Sequence, residues 1–160
     1  MLSSGAMTGF RYFPLLLGLG LNPLSVGTAG AALGGNAASV LSDTAELHGI
    51  ERSTLLQLYD IQEITNDNGM RVREFLNREG IVFAVTWNGP VVPDLRSLLG
   101  TSFEAYSQGL AASKPSGTHR SMRIASPDLV VESGGHMRAY SGRAYLPRLM
   151  PAGTTTADLR

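Results

Sequence analysis

The run "IVFAVTW", Ile81 to Trp87, is apolar at nearly every position. A strand with one wet face alternates apolar and polar side chains. A strand without that alternation is buried on both faces or central in its sheet. Upstream, "LLQLYDIQEI" (Leu55 to Ile64) runs into "TNDNG", where Asn68-Gly69 is a strong hairpin signal. "MRVREFL" follows with alternation: Met70, Val72 and Glu74 share one face, and Arg71, Arg73 and Phe75 the other. "NREG" turns the chain into the apolar run and completes a three-stranded antiparallel meander.

After "NGPVVPD" the period changes. Leu95, Leu98, Leu99, Phe103, Tyr106 and Leu110 recur at three and four residues, one stripe of an amphipathic helix. Pro93 suits the first turn, where no amide hydrogen is missed, and Asp94 suits the positive end of the helix dipole. Gly100 and Gly109 each weaken the helix by about 1 kcal/mol relative to alanine, with Gly100 the expected point of close approach to the sheet. "AASKPSGTH" is a polar linker. Strands return with "SMRIAS" and "DLVVES" around a Ser126-Pro127-Asp128 turn, and Gly134-Gly135 is expected to reverse the chain into "HMRAYSGRAYL". The closing "TTTADLR" has the makings of one helical turn that frays. The expected fold class is α+β: an antiparallel sheet of about five strands in β-β-β-α-β-β order, with one amphipathic helix packed on a face.

The first 31 residues read as a signal peptide. Arg11 is the only charge among the first 42 residues, "YFPLLLGLGL" is a short apolar core, and Ala29-Gly30-Ala31 has the small-x-small form of a cleavage site. Met7 is an alternative start. Pro14 and Pro23 bracket an apolar run about half the roughly 20 residues that a membrane span needs. No cysteine follows it, so a lipid anchor is excluded. Residues 32–160 then form a single domain, with a short helix expected over Ser39 to His48. Removing the leader takes Arg11 with it and leaves twelve basic against thirteen acidic residues. That balance lacks the basic excess of a nucleic-acid binder. With no cysteine at all, the domain is held by packing alone.

Few motifs carry chemistry. His48, His119 and His136 share no metal-ligand spacing, and neither a phosphate-loop pattern nor G-x-S-x-G occurs. The densest polar stretch is "ESGGHMRAYSGRAYLP" (Glu132 to Pro147). If its strand starts at His136, then His136, Arg138 and Tyr140 share a face, with Glu132 across from His136 or Met137. The plain reading of that face is a surface hairpin whose polar side chains pair with one another, and it outweighs catalysis. Arg143 can hold a carboxylate bidentately, with Asp94 the expected structural partner. Trp87, Tyr140 and Tyr145 are expected on the packing face of the sheet or along an aromatic groove.

The segments "GIVFAVTWNGPVVPDLRSLLG" and "ESGGHMRAYSGRAYLPRLMPAG" resemble a family of small exported proteobacterial proteins, catalogued as a domain of unknown function, number twenty-eight forty-four. The resemblance runs from the leader to the C-terminus. It implies a single-domain bacterial envelope or secreted protein, and it brings no activity and no catalytic residues.

The function expected is therefore binding of a partner or ligand by a periplasmic or secreted protein, with an enzyme less favoured. Its candidate site is Trp87, Asp94, His136, Arg138, Arg143 and Tyr145, where the Gly134-Gly135 hairpin would meet the helix start. The arginines would hold an acidic group and the aromatics would give apolar contact. One alternative is a small envelope hydrolase or transferase using His136 with Glu132 or Asp94. Another is an assembly factor that pairs through a sheet edge. No cofactor, metal, nucleic acid or membrane span beyond the leader is expected.

Overall fold

A computed structural model describes residues 33–36, 50–113 and 121–160. The expected leader and the expected helix over Ser39 to His48 lie outside the described residues, as does most of the polar linker. Among the described residues seven strands form one antiparallel sheet: β1 (Ile50–Leu55), β2 (Asp60–Thr65), β3 (Arg71–Leu76), β4 (Val82–Gly89), β5 (Ser121–Ala125), β6 (Val130–His136) and β7 (Ala139–Tyr145). Their order across the sheet is β1-β2-β3-β4-β7-β6-β5. A helical segment lies between β4 and β5: α1 (Leu95–Leu99), one 3-10 turn (Gly100–Ser102) and α2 (Phe103–Ala112).

This corrects the expected β-β-β-α-β-β order of about five strands. Four strands precede the helical segment and three follow it. "LLQLYDIQEI" is not one strand: Leu55 ends β1, Leu56 N donates to Tyr59 O and closes a turn, and β2 starts at Asp60. The Gly134-Gly135 pair stays within β6. The chain reverses three residues later than expected, at Met137-Arg138, with His136 opposite Ala139. Arg138 takes the left-handed backbone (φ 66°) that glycine was expected to supply.

The meander itself matches the sequence reading. Gly69, at φ 82°, donates to Asn66 O in the β2–β3 turn. In the β3–β4 turn Asn77 Oδ1 accepts from the amides of Glu79 and Ile81. Asp94 caps α1, accepting from Arg96 N at 2.9 Å. The helix breaks at Gly100 (φ 49°), which ends α1. The close approach to the sheet falls instead at Gly109, where a Cβ would lie 2.5 Å from Ile124 Cγ2.

Six successive residues of β4, Val82 to Trp87, are buried. On one side Leu98, Leu99 and Tyr106 pack on Val72, Val85, Trp87, Val131 and Ala144, joined by Leu33. On the other side Phe75, Phe83, Ala84, Val130 and Tyr145 are covered by Leu149, Met150 and Leu159 from the C-terminal segment. A register shift opposite Phe75 and Leu76 lets both Phe83 and Ala84 join that second cluster.

Trp87 has room only because its neighbour across the ladder is Gly142: a Cβ there would overlap the indole and crowd Glu132 O. Gly142→Ala is therefore expected to lower unfolding free energy by about 1–3 kcal/mol through overpacking. Urea denaturation checks it, and an unchanged midpoint would mean that the Trp87 packing gives way easily.

Candidate functional site

Because β-strand side chains alternate, ladder partners share a face. The register places Arg52, Glu63, Arg73, Thr86, Arg143, Glu132 and Arg123 in one row across all seven strands. Two arginine–glutamate–arginine units thus flank Thr86 on the face opposite the helices. Arg73 Nε donates to Glu63 Oε2 at 2.6 Å, with Arg71 Nε 3.6 Å from the other oxygen. Arg143 Nε donates to Glu132 Oε2 at 2.7 Å, and Arg123 Nε lies 3.0 Å from Oε1. With four arginines against two glutamates, the row carries excess positive charge.

The C-terminal segment crosses this row. Arg143 Nη1 donates to Thr156 O, and Arg73 Nη1 donates to Arg160 O. Those arginines stand two strand spacings apart, roughly 10 Å, and the segment between bridges them over β4. Leu159, 2% exposed, is the side chain that this crossing buries. Asp158 Oδ2 accepts from the amide and hydroxyl of Thr155, and these bonds hold its carboxyl below the usual range. Burial, with Asp158 nearby, raises the Tyr59 phenol. The closing residues form a hydrogen-bonded turn, Asp158 N to Thr155 O, in place of the helical turn expected, and they are pinned on the sheet where fraying was expected.

Beside the segment lies an open groove of about 700 Å³. Its far row is Ser121, Gly134, Ser141 and Asn88, each opposite the next in the ladders. Its near row is Arg123, Glu132, Arg143 and Thr86, and Leu159 and Arg160 close one end. Gly134 contributes no side chain, so the floor there is backbone.

A description of a protein family of unknown function, DUF2844, matches residues 29–159. The chain belongs to the DUF2844 family. No curated protein and no solved structure matches it.

On this member of the family the six expected site residues are dispersed. Trp87 and Arg143 line the groove, but the Trp87 indole is buried on the helix face. Arg143 pairs with Glu132 and the C-terminal segment, whereas Asp94 is occupied in capping α1. Tyr145 is buried in the second cluster. His136 and Arg138 are exposed at the tip of the β6–β7 hairpin, His136 ending β6 and Arg138 in the turn, with His136 Nδ1 3.3 Å from Met137 O. His136 is four residues from Glu132 along β6, roughly 13 Å in extended chain, too far for one to orient the other. Among the described residues no three His, Cys, Asp or Glu gather as a metal-binding group. No helix among them is long and apolar enough to cross a membrane.

Arg123, Glu132, Ser121, Ser141 and Asn88 escaped the sequence reading as a group. The signal was present, since the alternation of β3 already put Arg71 and Arg73 on one face. Extending that face required the strand order, which places β7 beside β4.

The two arginines on Glu132 differ in what they hold. Arg143 is 28% exposed and also bonds the C-terminal segment, while Arg123 is 65% exposed with the single ion pair. Arg143→Ala is expected to cost about 1.5–3 kcal/mol of unfolding free energy. Arg123→Ala should cost about 1 kcal/mol at most. Guanidinium denaturation of the two variants measures the difference, and equal losses would refute the assignment.

Proposed function

We propose that this protein is an exported, non-enzymatic binding domain whose groove over β4, β7, β6 and β5 holds an acidic group of its ligand or partner. One observation carries the reading: the end of the row that holds Arg123, Glu132 and Arg143, two arginines to one glutamate, borders an open groove lined by hydroxyl and amide side chains. Arg123 supplies the exposed guanidinium, and a guanidinium matches a carboxylate in geometry as well as in charge. The catalytic alternative has less support, because the carboxylates named for it are engaged elsewhere and His136 stands four residues along β6 from Glu132. The edge-pairing alternative is weakened by Arg52 on β1 and Arg123 on β5, charges of the kind that discourage strand addition.

Export is supported by the arrangement of the N-terminus. Leu33, fully buried against the helical segment, lies two residues beyond the expected cleavage point at Ala31. The family match begins at residue 29, after the apolar run.

The test uses protein recovered from the cell envelope or medium, its N-terminus sequenced, and passed over a polyaspartate surface. The expected outcome is a start near Ala32 and salt-sensitive retention that Arg123→Glu abolishes. Retention unchanged by Arg123→Glu would overturn the binding site, and an uncleaved cytoplasmic chain would overturn export.

A further inference from the structure

Resting on that binding reading, we propose that the groove over Gly134 is a subsite for a sugar acid, a polyhydroxylated ring that carries a carboxylate. The floor and walls specify such a ligand by chemistry. Ser121 and Ser141 face each other across Gly134, two strand spacings or roughly 10 Å apart, with Asn88 beyond Ser141. Each hydroxyl both donates and accepts, and the asparagine amide does the same, which suits a ring bearing several hydroxyls. The gap between them is open because Gly134 has no side chain. Gly134 is not among the glycines with positive φ, so its backbone conformation does not demand glycine.

The carboxylate has a defined place. Arg123 uses Nε on Glu132 Oε1, and its terminal nitrogens have no hydrogen-bond partner among the described residues. They form the forked donor pair that a carboxylate accepts bidentately. Glu132 borders the same groove and disfavours a dianion such as phosphate relative to a single carboxylate. The two large apolar side chains at the groove, Trp87 and Leu159, are buried and committed to the packed clusters.

The test is a calorimetric titration of the mature protein with trigalacturonate, D-glucose and inorganic phosphate as separate probes. Saturable binding of trigalacturonate is expected, with neither glucose nor phosphate competing. Arg123→Ala should weaken it about tenfold or more, the loss of a charge-assisted pair. Gly134→Val, which fills the floor, should abolish it while the circular dichroism spectrum is unchanged. If Gly134→Val does not fold, Ser141→Ala replaces it, with weakened binding expected. Full binding by Arg123→Ala, or by a folded groove variant, would overturn the proposal. So would glucose or phosphate binding as well as trigalacturonate. Retention on polyaspartate through Arg123 without trigalacturonate binding would refute the sugar-acid subsite and leave the broader reading standing. Failure of both probes would refute both.

Discussion

β4 is apolar on both faces, and the rest of the molecule follows from that constraint. Six consecutive buried residues in one strand need two separate covers. The helical segment is one, laid over Val72, Val85, Trp87 and Val131 with Gly109 seated against Ile124. The C-terminal segment is the other, with Leu149, Met150 and Leu159 over Phe75, Phe83, Ala84 and Tyr145. It contributes apolar area through few residues, so its position depends on polar anchors. Arg73 and Arg143 provide them, each oriented by a glutamate on the adjacent strand and each donating to a backbone oxygen of the segment.

The same row explains why a groove exists. Arginine alternates with glutamate outward from Thr86 on both sides, so every charge has an opposite neighbour across a ladder. Only the inner arginines are spanned by the C-terminal segment. The outer pair, Arg52 and Arg123, end the row at the two outermost described strands. The segment crosses from Arg143 to Arg73, and Ser121, Gly134 and Ser141 on the β5 side line the groove. Structural and binding roles are thereby divided between two arginines of one ion-pair unit, Arg143 inward and Arg123 outward.

Much of the fold was legible in local pattern. The β2–β3–β4 meander, its two turns, the helix stripe from Leu95 and the cap at Asp94 each follow from periodicity or turn chemistry within a few residues. Two features misled. Leu55 to Ile64 reads as continuous strand because nothing in "LLQLYD" marks a turn, the bend there being closed by a backbone hydrogen bond between ordinary residues. Gly134-Gly135 reads as a turn, yet it stays in strand: Gly135 takes a positive φ of 144° and a Cβ there would overlap Ala139 O, while Gly142 makes way for Trp87. Glycine in a strand signals close approach as readily as reversal. The candidate site was less legible than the fold. Arg143 is legible as a carboxylate partner, but its partner is Glu132 and not Asp94, because a hairpin that turns at Met137-Arg138 sets Arg143 opposite Glu132.

The central claim is that the C-terminal segment is a layer of the core, although chain ends ordinarily fray. Leu159→Ala tests it most directly, by denaturant unfolding against the parent protein. If the segment is the second cover of β4, the substitution should cost about 2–5 kcal/mol, as for a buried core leucine. A change within about 0.5 kcal/mol, typical of surface positions, would contradict the account.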